Sequence, residues 1–251
     1  MTRIETTQPA RRGQPGRPRG AGAVGWAVFG VLGEVLMTLG VLIGLFVVWQ
    51  LWWTDVAAGQ EQAQAVADLR WEEPVTAPAP VERTDEPPVL EEPEELTTFA
   101  TLQVPRWGED YVQPITQGVG QDVLDHLGVG HYPGTAMPGG VGNHAVAAHR
   151  VTYGKPFNRV AELELGDPLV VRTEGTWYVY RVTSTEIVLP HQVEVIAPVP
   201  GEPGAAPVDR RMTLTTCHPM FSAEERFIVH AELDHWMPVA DGTPAALDGG
   251  A

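Results

Sequence analysis

The stretch MTLTTCHPMFSAEERFIVHAEL, residues 212–233, contains two runs of alternating apolar and polar residues separated by a short connection. The first run is rich in threonine and ends at Cys217, the single cysteine of the chain, and the second begins at Arg226. Alternation interrupted by proline and serine predicts strand, loop, strand. Two adjacent strands would carry a thiol and a guanidinium to the same end of a sheet. A nucleophile beside an anion-stabilising group is an arrangement that suits acyl transfer.

Acyl transfer also needs a base, and the segment HAVAAHR, residues 144–150, offers two histidines. His144 and His149 are five positions apart, so in a strand they point to opposite faces. Gly142 and Asn143 place His144 at the strand start, where a structural role is expected. His149 at the strand end is the candidate base, although a core histidine with satisfied hydrogen bonds fits the spacing equally well. His218, next to Cys217, points away from it in a strand and is therefore the weaker candidate for the base.

The single cysteine has two interpretations of its own. An isolated free cysteine is more often a small buried apolar residue than a nucleophile. The position of Cys217 at a strand end, after Thr215 and Thr216 and before Arg226, favours a reactive role. A zinc site is not expected, because His144 and His149 lack one-turn helical spacing and have no partner cysteines. We therefore expect neither a metal nor a cofactor.

The charge distribution divides the chain. The 251 residues carry a formal charge of −16, yet five arginines lie within residues 1–22. An acidic body excludes a nucleic-acid partner, since phosphate binding requires a basic face. Residues 1–22 are rich in Arg, Pro and Gly and are predicted to be a disordered basic tail.

Residues 23–53 are predicted to form a membrane anchor. Glu34 is the only charged residue between Val24 and Trp53, and the apolar run that follows it is close to the roughly 20 residues that cross a bilayer as a helix. Tryptophans cluster at its end and arginines precede its start, so the positive-inside rule predicts a cytoplasmic N-terminus and an extracellular remainder, in a single-pass protein of the cell membrane. A cleaved signal peptide is the alternative. The apolar region of a typical signal peptide is shorter and is followed by small residues, whereas the run in this chain is longer and ends in tryptophans.

Three further boundaries follow from composition. Residues 54–71 are rich in Ala, Gln and Glu and predict a short juxtamembrane helix. Residues 72–97 are an acidic, proline-rich linker, expected to be an extended and self-repelling spacer. Residues 98–240 are the folded domain, and residues 241–251 are a second disordered tail.

The folded domain is predicted to be all-β. Short apolar segments bounded by turn residues, with two short helical pieces at 121–127 and 157–163, favour a barrel or a sandwich. The predicted strands are 99–104, 111–115, 145–149, 169–173, 176–188, 212–217 and 227–233. The long proline-rich loop 190–211 ends where the Cys217 strand begins, and a role as a flap over the site is expected.

The motifs TLTTCHPMFSAEERFIVHAEL, GNHAVAAHRVTYGKPFNRVAELELGDPLVV and FATLQVPRWGEDYVQPI resemble the sortases, cysteine transpeptidases that attach proteins to Gram-positive cell walls. The resemblance covers the whole folded domain. The LTTCHP form and the acidic linker are most similar to class E enzymes of actinobacteria. The resemblance implies a closed eight-stranded β-barrel behind one N-terminal transmembrane helix.

The resemblance also implies roles for individual residues. Cys217 would attack the Thr-Gly bond of a C-terminal sorting signal of LPXTG or, more typical of class E, LAXTG type. His149 would transfer protons, and Arg226 would stabilise the oxyanion or position the peptide. Thr216 and Tyr111 are the candidate substrate-binding residues. The implied partners are secreted proteins that bear the signal and a lipid-linked peptidoglycan precursor whose amine resolves the thioester.

Two other classes of protein share part of this pattern. An L,D-transpeptidase-like wall enzyme would use a thiol and a histidine, but it would place His and Gly directly before the cysteine, where this chain has Thr215 and Thr216. A non-catalytic, membrane-anchored binding domain would leave Cys217 inert and His149 distant from it.

Overall fold

The computed structural model describes residues 21–72, 74 and 81–248. Eight strands form its folded part: β1 (Thr98–Gln103), β2 (Val112–Gln117), β3 (Val129–His131), β4 (Gly142–Ala147), β5 (Pro168–Arg172), β6 (Thr176–Val188), β7 (Arg210–His218) and β8 (Glu225–Pro238). They close into a barrel in the order β1-β2-β3-β4-β7-β8-β6-β5. The predicted all-β, eight-stranded fold is confirmed.

Most neighbouring strands run antiparallel, but two pairs, β2–β3 and β4–β7, are parallel. The longest strands, β6 and β8, pair over almost their whole length, from Thr176 opposite Pro238 to Val188 opposite Arg226. Closure leaves no strand with an unpaired edge along the barrel wall, which removes the usual route to edge-to-edge association. The barrel is therefore a stiff frame for the residues at the ends of its strands.

The barrel interior is filled by alternate residues of each strand. Leu102, Ile115, Tyr180 and Leu214 are completely buried within one apolar cluster. Burying one such side chain stabilises a fold by about 1.5–3 kcal/mol. Hydrophobic side chains at alternating positions therefore fix the register of β7, because a slip of one residue would move Met212 and Leu214 out of the interior cluster.

The helix α1 (Ala21–Asp68) is 48 residues long and continues through the boundary expected at residue 54. Within the described residues, its part Trp26–Asp68 is the one helix long and apolar enough to cross a membrane by length and composition. The chain divides into two compact units after Trp49. The Ala-rich and Gln-rich residues after the apolar run have high helix propensity, so nothing in the sequence ends the helix there.

The helical residues of the second unit, 50–68, pack on the barrel. The Gln62 side chain is buried and donates a hydrogen bond from Nε2 to the carbonyl oxygen of Tyr153 (2.9 Å). Lys155 Nζ lies 2.9 Å from Asp55 Oδ2, and Glu61 Oε2 lies 2.6 Å from His126 Nδ1. Gly154 has a φ of +75°, and a Cβ there would lie 2.5 Å from Gln62 Oε1, so this close approach requires glycine.

Residues 81–97 differ from the free spacer that their composition predicted. Arg83 and Trp236 exchange backbone hydrogen bonds of 2.9 Å, and the hydroxyl of Tyr178 donates to the carbonyl oxygen of Pro88 (2.6 Å). Gln117 Nε2 donates to Glu92 Oε1 (2.6 Å). Donors on the barrel thus bind this part of the linker as a strap, and its negative charge does not prevent the contact.

The chain after residue 240 also differs from the disordered tail that was expected. Two 3-10 turns, Val239–Asp241 and Ala245–Leu247, follow β8, and Leu247 packs against a second apolar cluster around Trp177. Trp177 Nε1 donates to the carbonyl oxygen of Gly242 (3.0 Å). Order therefore continues to residue 248. The expectations for residues 1–20, 73, 75–80 and 249–251 lie outside the described residues.

The long loop between β6 and β7 contains a 3-10 turn, Val193–Ile196. Val195 packs with Val188 and Ile228 on the outside of the barrel. Asn143 Nδ2 donates to the carbonyl oxygen of Ala197 (3.1 Å). The loop therefore contacts outer-face residues near the start of β4 and near the start of β8, and a role as a substrate flap stays a prediction.

Candidate active site

The parallel pairing of β4 with β7 positions the site. Its register places Ala145 beside Thr213 and Ala147 beside Thr215. Beyond Ala147, the backbone N–H of Ala148 still donates to the carbonyl oxygen of Thr215 (3.3 Å). Two residues past Ala147 is His149, and two residues past Thr215 is Cys217. Because side chains alternate with a period of two, these residues lie on the same face and at the same end of the strand pair.

That face is the outer one. Val146 and Leu214, which occupy the other set of alternating positions, lie in the interior cluster. On the far side of β7, Cys217 is directly opposite Arg226 of β8. Directly paired residues of antiparallel strands share a face. The structure thus brings the three predicted residues, Cys217, His149 and Arg226, to one end of three adjacent strands.

Cys217 is partly exposed, as a nucleophile must be. Beneath it lies Arg150, whose guanidinium is almost entirely buried. Arg150 Nη1 donates to the carbonyl oxygen of Cys217 (3.2 Å) and to Nδ1 of His218 (2.9 Å). Burial lowers the pKa of Arg150, and the nearby Cys217 side chain opposes that shift. The Arg150 guanidinium therefore holds the main chain at Cys217 through its hydrogen bond to the carbonyl oxygen.

His149 is held by a carboxylate. Its Nε2 lies 2.7 Å from Oδ1 of Asp125, and both side chains are half-buried, with 28% and 18% exposed. Its ring also lies against the Tyr153 ring, with 5.1 Å between centroids. A carboxylate oxygen only accepts, so Nε2 carries the hydrogen of this bond. His149 is thus an oriented imidazole and not a core histidine.

The Arg226 guanidinium bonds to main-chain oxygens. Its Nη1 donates to the carbonyl oxygens of Ala223 (3.0 Å) and Glu225 (2.9 Å) in the turn between β7 and β8. Two carboxylates of β8 have other neighbours: Glu232 lies 3.5 Å from Arg211, and Glu225 lies 3.9 Å from His218. Within the described part of the chain no carboxylate pairs with Arg226, so its positive charge stays available beside Cys217.

The two threonines before the cysteine have different surroundings. Thr216 points inward, is buried, and donates from Oγ1 to the carbonyl oxygen of Ala148 (2.7 Å). Thr215 shares the face of Cys217, and its Oγ1 lies 3.0 Å from the hydroxyl of Tyr132. Thr216 therefore ties β7 to the residue that precedes His149, and its placement in the interior separates it from the outer face where a peptide would bind.

Tyr111, the second candidate substrate-binding residue, packs edge-on against Trp107 with 4.8 Å between ring centroids. Its hydroxyl donates to the carbonyl oxygen of Pro156 (3.0 Å). Burial raises the pKa of the Tyr111 phenol well above its ordinary value. The structure places this side chain against the core and against the loop that follows His149.

The other histidine of the motif, His144, lies inside the barrel. Its ring stacks on His131 with 4.9 Å between centroids, and its Nδ1 lies 3.0 Å from the carbonyl oxygen of Ala136. Burial lowers the pKa of both His144 and His131. The expectation that His144 and His149 occupy opposite faces agrees with this placement, and His144 has a structural position.

Sequence reasoning missed three neighbours of the site: Asp125, Arg150 and Tyr132. Arg150 could have been noticed as the residue after His149, since a charge in an apolar strand motif is unusual. Asp125 gave no signal, because it follows a short helix, α2 (Gln121–Leu124), 24 positions before its partner His149. Among the described residues no group of three or more His, Cys, Asp or Glu side chains could hold a metal ion.

The arrangement supplies what acyl transfer requires: an accessible thiol, an imidazole fixed by a carboxylate, and a guanidinium bonded only to carbonyl oxygens among the described residues.

Comparison with known proteins points to a family that carries out acyl transfer. The sortase domain model matches residues 102–234. Over 256 aligned residues the chain is 36% identical to Sortase SrtE1 of Streptomyces coelicolor, covering 98% of this chain and 67% of that protein.

Solved structures give the same result. The SrtA sortase from Actinomyces oris is 47% identical with a TM-score of 0.64, and the match covers 66% of this chain and 96% of that one. Sortase E1 from Streptomyces coelicolor, solved with a tripeptide in its active site, is 40% identical with a TM-score of 0.56, covering 60% and 96%. The chain belongs to the sortase family of cysteine transpeptidases, and class E enzymes are among its relatives.

Proposed function

We propose that this sortase cleaves a C-terminal sorting signal of LAXTG or LPXTG type between Thr and Gly and transfers the protein to an amine of a lipid-linked peptidoglycan precursor. Cys217 attacks the threonine carbonyl and becomes acylated as the Gly amine leaves. The incoming amine then displaces the Cys217 sulfur. The clients are secreted proteins that carry the signal.

One observation carries this proposal: the registers of β4, β7 and β8 place His149, Cys217 and Arg226 on one face at one end of three paired strands. A proton donor and acceptor on one side of a thiol and a cation on the other match the two charges that develop during acyl transfer. The tripeptide in the active site of Streptomyces coelicolor sortase E1 supports a peptide substrate.

In this proposal His149 gives a proton to the leaving Gly amine and later accepts one from the incoming amine. Arg226 stabilises the oxyanion or holds the substrate carbonyl groups, since its guanidinium presents several donors in a fixed plane. Thr216 acts on the site from the interior, by holding the carbonyl of Ala148. Tyr111 remains a proposed contributor to the substrate groove through the segment that it supports at Pro156.

We place the enzyme in the cell membrane, anchored by residues 24–53, with the N-terminus cytoplasmic and the catalytic domain outside. The support is the apolar helix that ends in tryptophans together with the arginines that precede it in the sequence. The protein substrate and the lipid-linked amine both arise at the external membrane surface, so anchoring raises their concentration around Cys217.

The test uses the full chain in detergent micelles with fluorogenic LAXTG and LPXTG peptides, with and without an amine acceptor. We expect cleavage between Thr and Gly, a peptide adduct on Cys217 by mass spectrometry, and transfer to the amine when it is present. Cys217→Ala is the matched inactive control. If the folded chain cleaves neither peptide and forms no adduct, the proposed signal is wrong.

A further inference from the structure

The surroundings of His149 include a carboxylate that has no part in the proposed reaction as described above. Asp125 ends the short helix α2, and its Oδ1 lies 2.7 Å from Nε2 of His149. The distance is in the range of charge-assisted hydrogen bonds. Both side chains are mostly shielded from water, so the interaction is screened less than an exposed ion pair would be.

The segment that carries Asp125 is fixed from a second direction. The next residue, His126, contacts Glu61 of α1 at 2.6 Å. One position further along α1, Gln62 holds the carbonyl of Tyr153, whose ring lies against His149. The juxtamembrane part of α1 thus contacts both segments that flank the imidazole. Asp125 is presented to His149 by a braced element and not by a free loop.

The choice of nitrogen has a chemical consequence. An imidazole has two ring nitrogens, and a hydrogen bond at one of them decides which one is available for proton exchange. Because the carboxylate of Asp125 accepts from Nε2–H, Nδ1 is the nitrogen that loses and gains the proton during catalysis. The same carboxylate stabilises the positive charge of the doubly protonated ring.

We propose that Asp125 is a positioning residue of this sortase, which fixes the tautomer and orientation of His149 and stabilises its imidazolium form. The inference rests on the proposed roles of Cys217 and His149.

The proton balance is complete without any further group. The thiolate of Cys217 attacks the threonine carbonyl; when the C–N bond breaks, the proton on Nδ1 of His149 passes to the Gly amine and leaves a neutral ring. When the incoming amine attacks the thioester, its proton returns to Nδ1 as the C–S bond breaks and the thiolate leaves. Asp125 stays ionised and keeps its hydrogen bond from Nε2 in both steps.

Several other charged groups surround the site of the His149 imidazole. Arg150 follows it in the chain and lies beneath Cys217, Arg226 lies beyond Cys217 on β8, and the His126–Glu61 pair adjoins Asp125 on the side of α1. Of these described groups, Asp125 is the carboxylate in hydrogen-bond contact with the ring. Asp125 is therefore the acid whose removal tests the positioning of His149.

The test compares three variants of the full chain in micelles by the pH dependence of kcat/KM for the sorting-signal peptide. Asp125→Asn keeps the shape and removes the charge. We expect it to lower kcat/KM about tenfold and to move one limb of the profile to lower pH. Asp125→Glu should restore the position of that limb.

Asp122→Asn is the matched control, because Asp122 is an exposed acid on the same short helix. It should leave both rate and profile unchanged. An unshifted profile in Asp125→Asn, whether the rate is retained or is lost together with thermal stability, would overturn the positioning role. Inactive Cys217→Ala and His149→Gln variants in the same assay show that the proposed function holds even if the Asp125 inference fails; activity in Cys217→Ala would overturn both.

Discussion

His144 and His149 belong to one motif on one strand segment, yet they lie on opposite sides of the barrel wall. His144 faces inward, stacks on His131, and has a buried Nε2 without a hydrogen-bond partner among the described residues. His149 faces outward at the strand end and bonds to Asp125. From this difference we expect the outer face at the end of β4 and β7 to carry chemistry and the inner face to carry stability.

The most direct test of the different roles of His144 and His149 is to make the same substitution at both positions. His149→Gln should lower kcat/KM by about three orders of magnitude, within the usual range for loss of a general acid and base, and leave the thermal midpoint nearly unchanged. His144→Gln should keep most of the activity and lower stability by about 1–3 kcal/mol, because it disturbs a buried polar contact. Peptide cleavage and thermal unfolding measure the two effects. A folded but inactive His144→Gln variant would contradict the division between faces.

The second largest effect is expected at Arg226. Arg226→Ala should lower kcat/KM about 100-fold, the usual loss when one oxyanion donor is removed, and Arg226→Lys should recover part of it. Arg211 offers a matched control, since it lies at the other end of β7, opposite Glu232 of β8. Arg211→Ala should change kcat/KM less than twofold. Equal losses in the two alanine variants would show that Arg226 acts through general charge or stability.

The buried histidines of the inner face should make the free energy of unfolding depend on pH. Burial lowers the pKa of His131 and His144, so the folded protein keeps both rings neutral while the unfolded chain binds protons below about pH 6.5. Unfolding free energy should therefore fall as pH decreases from about 6.5 to 5, with a slope of at most about 1.4 kcal/mol per pH unit for each ring.

Thermal midpoints measured across that window check this expectation. His144→Gln should flatten the slope, whereas the same change at the exposed His191 should not. An identical slope in all three proteins would mean that other groups cause the acid sensitivity.

A smaller effect on stability and activity is expected from changes at Thr216, which ties β7 to Ala148. Thr216→Val removes the hydroxyl that binds the carbonyl oxygen of Ala148 and keeps the side-chain shape. Stability should fall by about 1 kcal/mol, and kcat/KM should fall a few-fold because Ala148 precedes His149. Thr216→Ser retains the hydroxyl and should behave more like the parent protein. A valine variant with unchanged stability and activity would refute the tie between the strands.

The smallest expected effect is that of chelation. Neither face has a clustered set of acids and histidines within the described residues. Treating the full chain with EDTA should therefore leave kcat/KM unchanged, and adding calcium should not raise it. A loss of activity that returns with added metal would contradict the expectation of a metal-independent enzyme.

The strands that could be located from the sequence are those long enough to show several alternations of apolar and polar residues. The expected range 176–188 matches β6, Thr176–Val188, residue for residue, and the Cys217 strand differs by one or two positions at its ends. β3 was missed because its three residues, Val129–His131, are too few for a period of two to show. The resemblance to sortases, and not the pattern, supplied the eighth strand.

The strap formed by residues 81–97 could not be predicted from its own composition. Nine acids and six prolines in residues 72–95 are typical of a free spacer, yet the groups that bind it, on Tyr178, Trp236 and Gln117, lie far away in the sequence. Asp125 escaped notice for the same reason. Local patterns indicate which residues face a core, but a polar contact between distant segments depends on the closed barrel.

The parallel pairing of β4 with β7 also has a consequence for the order of events as the chain folds. The hydrogen bond from Thr216 to Ala148 joins residues 68 positions apart, and contacts of such long range make folding slow. Cys217 and Arg226 pair within the local β7–β8 hairpin, but His149 comes beside the thiol only when β7 pairs with β4. If Cys217 and His149 act as proposed, a chain that is still emerging or only partly folded lacks its base, and acylation begins when the barrel has closed.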